Sequence, residues 1–231
     1  MQLDEALTVF LDGPYTVASR EAINEFCESN PRLPDDVTQQ LVSILRLREN
    51  GWLPQLFAAS LLSRYDELDP RLMEPLLWAA IEVQNPSVNK DFLMPCLNAF
   101  SAEAIIDWLV GTLTYADQIN RIGISSLVYW LKGRSVDPVE WRQRKKDGLE
   151  VDKWLASHAI DATKLKMVIA ESARTTDNLV EQYHYRLALP EMPELFLDVP
   201  DCASGLTDRI TGNSDYEELL YDRLGWQRSR D

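Results

Sequence analysis

Between Val37 and Gly133 the apolar positions of the chain repeat. Displacing the sequence by 35 residues and then by 30 lays Leu41 on Leu76 and Ile106, and Leu45 on Ala80 and Val110. The same shifts lay Phe57 on Phe92 and Ile122, and Leu62 on Leu97 and Leu127. Trp78 and Trp108 coincide as well, with Ser43 in that place in the first copy. Turn residues keep the register, since Gly51, Pro86 and Ala116 also superpose. Apolar runs of this length, broken by turn residues at fixed offsets, predict helix pairs over 35–64, 70–100 and 101–133. A period of about 30–35 residues marks an array in which each pair buries its apolar face on the next.

The flanks read as helical too. Leu3, Leu7, Phe10 and Leu11 share one face of a first helix that Asp12-Gly13-Pro14 ends. A second helix is expected from Ser19, whose hydroxyl can cap it, with Glu21 in its first turn and Ile23, Phe26 and Cys27 inward. Residues 1–34 thus read as an N-terminal cap on the array. Asp35 or Asp36 caps the next helix, and Ser101 caps the first helix of the third pair. After Gly133 the register fails. Val151 to Leu155 echoes Ile105 to Leu109 as a degenerate fourth copy, and a long helix is expected from Asp161 or Thr163 to Leu187. From Glu191 to Asp222 nine acidic residues face one basic residue, Arg209. That segment, within 190–231, reads as a loop followed by a short helix from Ser214 to Leu224. Ser214 and Glu217 stand at capping-box spacing there. The whole chain is read as one helical-repeat domain, with a degenerate repeat and long helix over 134–189.

Charge narrows the partners. The 231 residues carry 37 acidic and 23 basic side chains, a net charge of −14. Nucleic acid and anionic membranes call for a basic footprint, so both are expected to be absent as partners. Cys27, Cys96 and Cys202 are odd in number and far apart, which suits reduced thiols rather than a disulfide framework. Met1 to Glu5 has neither the basic start nor the apolar run of a secretion signal, and no apolar stretch is long enough to span a bilayer. A cytoplasmic location is the expectation.

On these repeated positions the chain resembles the HEAT/armadillo class of antiparallel helix pairs. Pro75 sits early in the first helix of its pair, where HEAT-type helices often kink. The period is shorter than the ~40–47 residues of that class, and no Asp–Arg ladder recurs between copies. The tetratricopeptide pattern fits less well, because its Trp, Gly, Tyr and Pro signature is absent. The resemblance implies an all-α fold, a short right-handed α-solenoid of antiparallel helix pairs, that binds another protein along its concave wall. It implies no catalytic residue.

The residues that could carry chemistry are sparse. His158 and His184 lie 26 residues apart outside any metal-ligand spacing, and no zinc, phosphate-loop or nucleophile motif appears. No enzyme activity, metal or cofactor is therefore expected. The basic run Arg142-Gln143-Arg144-Lys145-Lys146 beside Trp141 could contact an anion. Residues 1–133 carry 18 acidic and 9 basic side chains, however, and a solvated loop or a partner for the acidic C-terminal stretch suits the run better. Trp78, Trp108 and Trp130 read as core, whereas Trp52 and Trp226 could be exposed anchors or partly buried rings.

The resemblance places the second helix of each pair on the concave wall. With Phe57, Ala58, Leu61 and Leu62 inward, the opposite side of the first such helix carries Leu56, Ser60 and Ser63. The same register gives Asp91, Pro95 and Asn98, then Arg121, Ser125 and Val128. Asp91, Asn98, Arg121 and Ser125 are the candidate partner-binding residues, and arginine is enriched among interface hot spots. An adaptor or scaffold is the leading expectation. An acidic inhibitor of a basic enzyme, of the immunity type, is the alternative. A HEAT-like nucleic-acid enzyme would need a basic groove that the charge balance disfavours.

Overall fold

A computed structural model describes residues 1–47, 51–83, 86–132 and 160–225. These residues are helices and connecting turns, with no strand among them, and the fold is all-α. The chain forms two compact units. Met1–Ala102 belongs to the first, and Glu103–Gly133 with the described part of Val139–Asp231 belongs to the second.

Among its described residues the first unit holds six α-helices: α1 (Leu3–Asp12), α2 (Val17–Ser29), α3 (Asp35–Arg46), α4 (Leu53–Leu62), α5 (Met73–Glu82) and α6 (Pro86–Ala99). Helix α2 starts earlier than Ser19, because the Thr16 hydroxyl accepts the Ser19 amide and is the cap. Asp35 and Asp36 lie in the first turn of α3 behind Pro34, where they complement the helix dipole. Gly51, at φ +75°, supplies the left-handed turn that leads into α4. The buried Gln55 amide donates to the Leu45 and Leu47 carbonyls at 2.9 and 2.8 Å, closing the C-terminal end of α3. Helices α3 and α4 pair, as do α5 and α6. Helix α3 also packs on α5, and α4 on α6, so like helices of neighbouring pairs meet. Helix α4 touches α1 and α2 too, and Phe10 meets Phe57 edge to face at 5.6 Å. Enclosed this way, α4 buries Leu56 along with Phe57, Ala58, Leu61 and Leu62. The expected solvent-facing side of α4 therefore shrinks to Ser60 and Ser63.

The second unit holds α7 (Ala102–Leu113), which enters it at Glu103, then α8 (Gln118–Leu127), α9 (Thr163–Thr175), α10 (Leu179–Ala188) and α11 (Ala203–Ile210). A last helix, α12, begins as Ser214–Glu217 and continues as a wider π-type turn over Glu218–Arg223. The long helix expected from 161 or 163 to Leu187 is two helices. Thr176 and Asn178 are extended, and the Asn178 side chain accepts the Glu181 amide at 3.0 Å to start α10 afresh. Among the described helices α8 packs chiefly on α10 rather than on α7, its expected partner, and α10 also packs on α9 and α11. The expected acidic loop contains α11, capped by the Cys202 sulfur and buried through Leu206 and Ile210. Asn213, one residue before Ser214, caps α12 by accepting the Tyr216 amide.

The repeat register marks the core. Of the twelve superposed apolar positions, all are buried except Val110, which is half-buried. The three tryptophans read as core differ from expectation. Trp78, Trp108 and Trp130 are half-buried rather than core, so their rings lie at the edge of the apolar faces. The echo at 151–155 and the basic run at 142–146 fall outside the described residues, as do Trp226 and His158.

Candidate functional site

Two side-chain clusters stand out, one in each unit. In the first unit, α1, α2, α4 and α6 frame a groove of about 240 Å³ lined by Phe10, Tyr15, Ser19, Arg20, Ile23, Ser60, Ser63, Arg64, Asp91 and Met94. Tyr15 holds a left-handed backbone, φ +67°, and is the one non-glycine residue to do so among those described. Arg20 steadies it by donating to the Tyr15 carbonyl at 3.1 Å. The Tyr15 hydroxyl then faces Asp91 at 3.5 Å. Asp91 lies four residues before Pro95, which has no N–H to return to the Asp91 carbonyl. Burial raises the Asp91 carboxyl above the usual carboxylate range, against the opposing pull of Lys90 and of Tyr15. Burial and the Asp91 charge push the Tyr15 phenol up as well.

In the second unit a buried carboxylate ties three segments together. Glu181, only 1% exposed, accepts from Arg121 Nε at 2.6 Å and Arg121 Nη2 at 3.2 Å. The buried Tyr185 hydroxyl donates to it at 2.5 Å, Thr176 at 3.1 Å and Gln118 at 3.4 Å. Arg121 Nη1 donates to the Ala116 carbonyl as well, so the guanidinium also closes the turn before α8. Burial alone would raise the Glu181 carboxyl, but the donors from Arg121 and Tyr185 outweigh it and hold it below its ordinary range. The Tyr185 phenol is driven far upward by burial and by Glu181. The network is saturated, and its chemistry is structural.

The four candidate contact residues divide between these places. Asp91 lines the first-unit groove together with Ser60 and Ser63 from the same expected face. Asn98 lies further along α6 and is exposed. Arg121 belongs to the Glu181 network, and Ser125 is 1% exposed with its hydroxyl donating to the Ile122 carbonyl at 2.7 Å. Pro95 and Val128, from the same register, are buried. Tyr15 and Glu181 were missed by sequence reasoning. A glutamate four residues before a tyrosine on an apolar helix face was the only local signal for the network, and its arginine lies 60 residues away.

His184 is held neutral by burial, with its pKa lowered to about 4. Burial pushes the Cys96 thiol far up, and a milder burial raises Cys27. Among the described residues no group of three or more His, Cys, Asp or Glu side chains could hold a metal ion. No helix among them is long and apolar enough to cross a membrane.

Comparison with known protein families, with characterised proteins and with solved structures finds no match to this chain.

Proposed function

We propose that the protein is a non-catalytic binder of another protein, an adaptor or scaffold built as a short HEAT/armadillo-like α-solenoid. The observation that carries this reading is the stacking in the first unit. There α3 lies on α5 and α4 on α6, so the second helices of two pairs stand side by side. Repeat arrays of this kind present such rows as recognition surfaces. Ser60, Ser63 and Asp91 meet in one groove on this row, and Asn98 stands exposed on the same helix as Asp91. The alternative, an acidic inhibitor that covers a basic enzyme, draws on the net charge of −14.

The experiment is affinity purification of the tagged full chain from its native host, repeated with Asp91→Ala and Asn98→Ala. A stoichiometric partner retained by the parent and lost from the variants, with unfolding midpoints unchanged, supports the adaptor reading. A single basic enzyme whose activity falls on binding selects the inhibitor. Variants that bind like the parent remove this face and make the acidic stretch from Glu191 to Asp222 the next surface to test.

A further inference from the structure

The groove between α1, α2, α4 and α6 carries two opposite charges that form no ion pair among the described residues. The Asp91 carboxylate makes no ion pair among the described residues, and its one hydrogen bond among them is the long one from Tyr15. Arg64, at the C-terminal end of α4, makes neither an ion pair nor a guanidinium hydrogen bond among them. These two opposite charges line one cavity without pairing with each other. The same lining adds the hydroxyls of Ser60 and Ser63, an apolar part of Phe10, Ile23 and Met94, and Arg20, whose guanidinium donates to the Tyr15 carbonyl.

We propose that this groove binds a free α-amino acid with an apolar side chain, its ammonium on Asp91, its carboxylate on Arg64 and its side chain on the apolar part. Size supports the choice. At about 240 Å³ the groove is smaller than the ~300–1,000 Å³ sites of drug-sized ligands and matches a single residue. Charge supports it more strongly. A residue inside a peptide has no backbone charge and a chain terminus has one, whereas a free amino acid carries both within one residue-sized body. Arg64 can take a carboxylate with two parallel donors. The held Tyr15 hydroxyl and the bound ammonium would share the Asp91 oxygens, which have room for more than one donor. This site shares Asp91, Ser60 and Ser63 with the proposed protein-binding face, but titration with a free amino acid tests it separately from partner capture.

The test is isothermal titration of the full chain with L-methionine and L-leucine. Saturable one-to-one binding with a dissociation constant in the millimolar range or tighter, about 1 mM, is expected. N-acetyl-L-methionine lacks the ammonium and L-methioninamide lacks the carboxylate, and each should bind at least about tenfold more weakly. Asp91→Asn and Arg64→Gln should each weaken L-methionine by a similar factor without moving the unfolding midpoint. Arg64 is exposed, so Arg64→Gln keeps the test valid should Asp91→Asn fail to fold. Absence of saturable binding by either amino acid overturns the proposal. So does binding of either the acetylated or the amidated form as tightly as L-methionine, or affinity indifferent to Arg64→Gln.

Discussion

The two units solve the same packing problem by different means. In the first, like helices stack on like through apolar faces, and the buried Gln55 amide acts locally on the end of α3. In the second, α8 and α10 are joined through Glu181, which gathers Arg121, Gln118, Thr176 and Tyr185 around one buried carboxylate. Apolar stacking tolerates a drifting repeat, because area burial has no direction. A buried charge tolerates little, because each missing donor leaves desolvation uncompensated. The difference explains why the third expected pair departs from the first two: α8 follows its ion-pair partner to α10.

The sharpest way to break this contrast is to remove one side of each device. Arg121→Met leaves Glu181 buried without its cation and should cost about 3–5 kcal/mol in urea denaturation. Adding Glu181→Leu should recover at least about half of that loss, because an apolar pair needs no donors. If Arg121→Met alone costs under about 1 kcal/mol, the network does not organise the second unit. In the first unit Phe57→Ala should also cost about 3–5 kcal/mol, by opening a cavity against Phe10. There no second substitution that merely neutralises a charge should restore it.

Acid should separate the units at a smaller scale. His184 has a folded pKa of about 4 against an ordinary 6.5, so the unfolded chain takes up a proton first as pH falls. Stability is then complete above pH 6.5, declines towards about pH 4 and is flat below, for a loss of about 3 kcal/mol at most. His184→Phe should abolish that slope in thermal melts across the window. Glu181, whose folded pKa is depressed, adds its own loss at lower pH, as pH falls through that value. A slope that survives in His184→Phe would reassign the effect to other groups.

The smallest expected effect lies at the α3–α4 corner. Gln55→Met keeps the volume but removes the donor to the Leu45 and Leu47 carbonyls, and should cost about 1–3 kcal/mol. A neutral outcome would show that these carbonyls find other donors, and that the corner is held by apolar contact alone.

What the sequence determined by itself was whatever depends on neighbours along the chain. The shifts of 35 and 30 residues found buried positions at Leu41, Leu76 and Ile106, and at Phe57, Phe92 and Ile122, because helix period and turn residues are local signals. Its capping logic was right in kind and off by a few residues, with Thr16 in place of Ser19 and Asn213 in place of Ser214. The site was legible only in part. Asp91, Ser60 and Ser63 were found on one helix register, but Tyr15, which completes the groove, comes from a turn 76 residues away from Asp91. Tertiary structure alone decided that Arg121 answers Glu181, that Leu56 and Ser125 are enclosed, and that the helix from Thr163 breaks at Thr176. Each of these rests on a contact between residues or helices far apart in the chain, or on a cap competing with helix propagation. Neither leaves a period in the sequence, since a single charge pair is a match of two points and not a pattern.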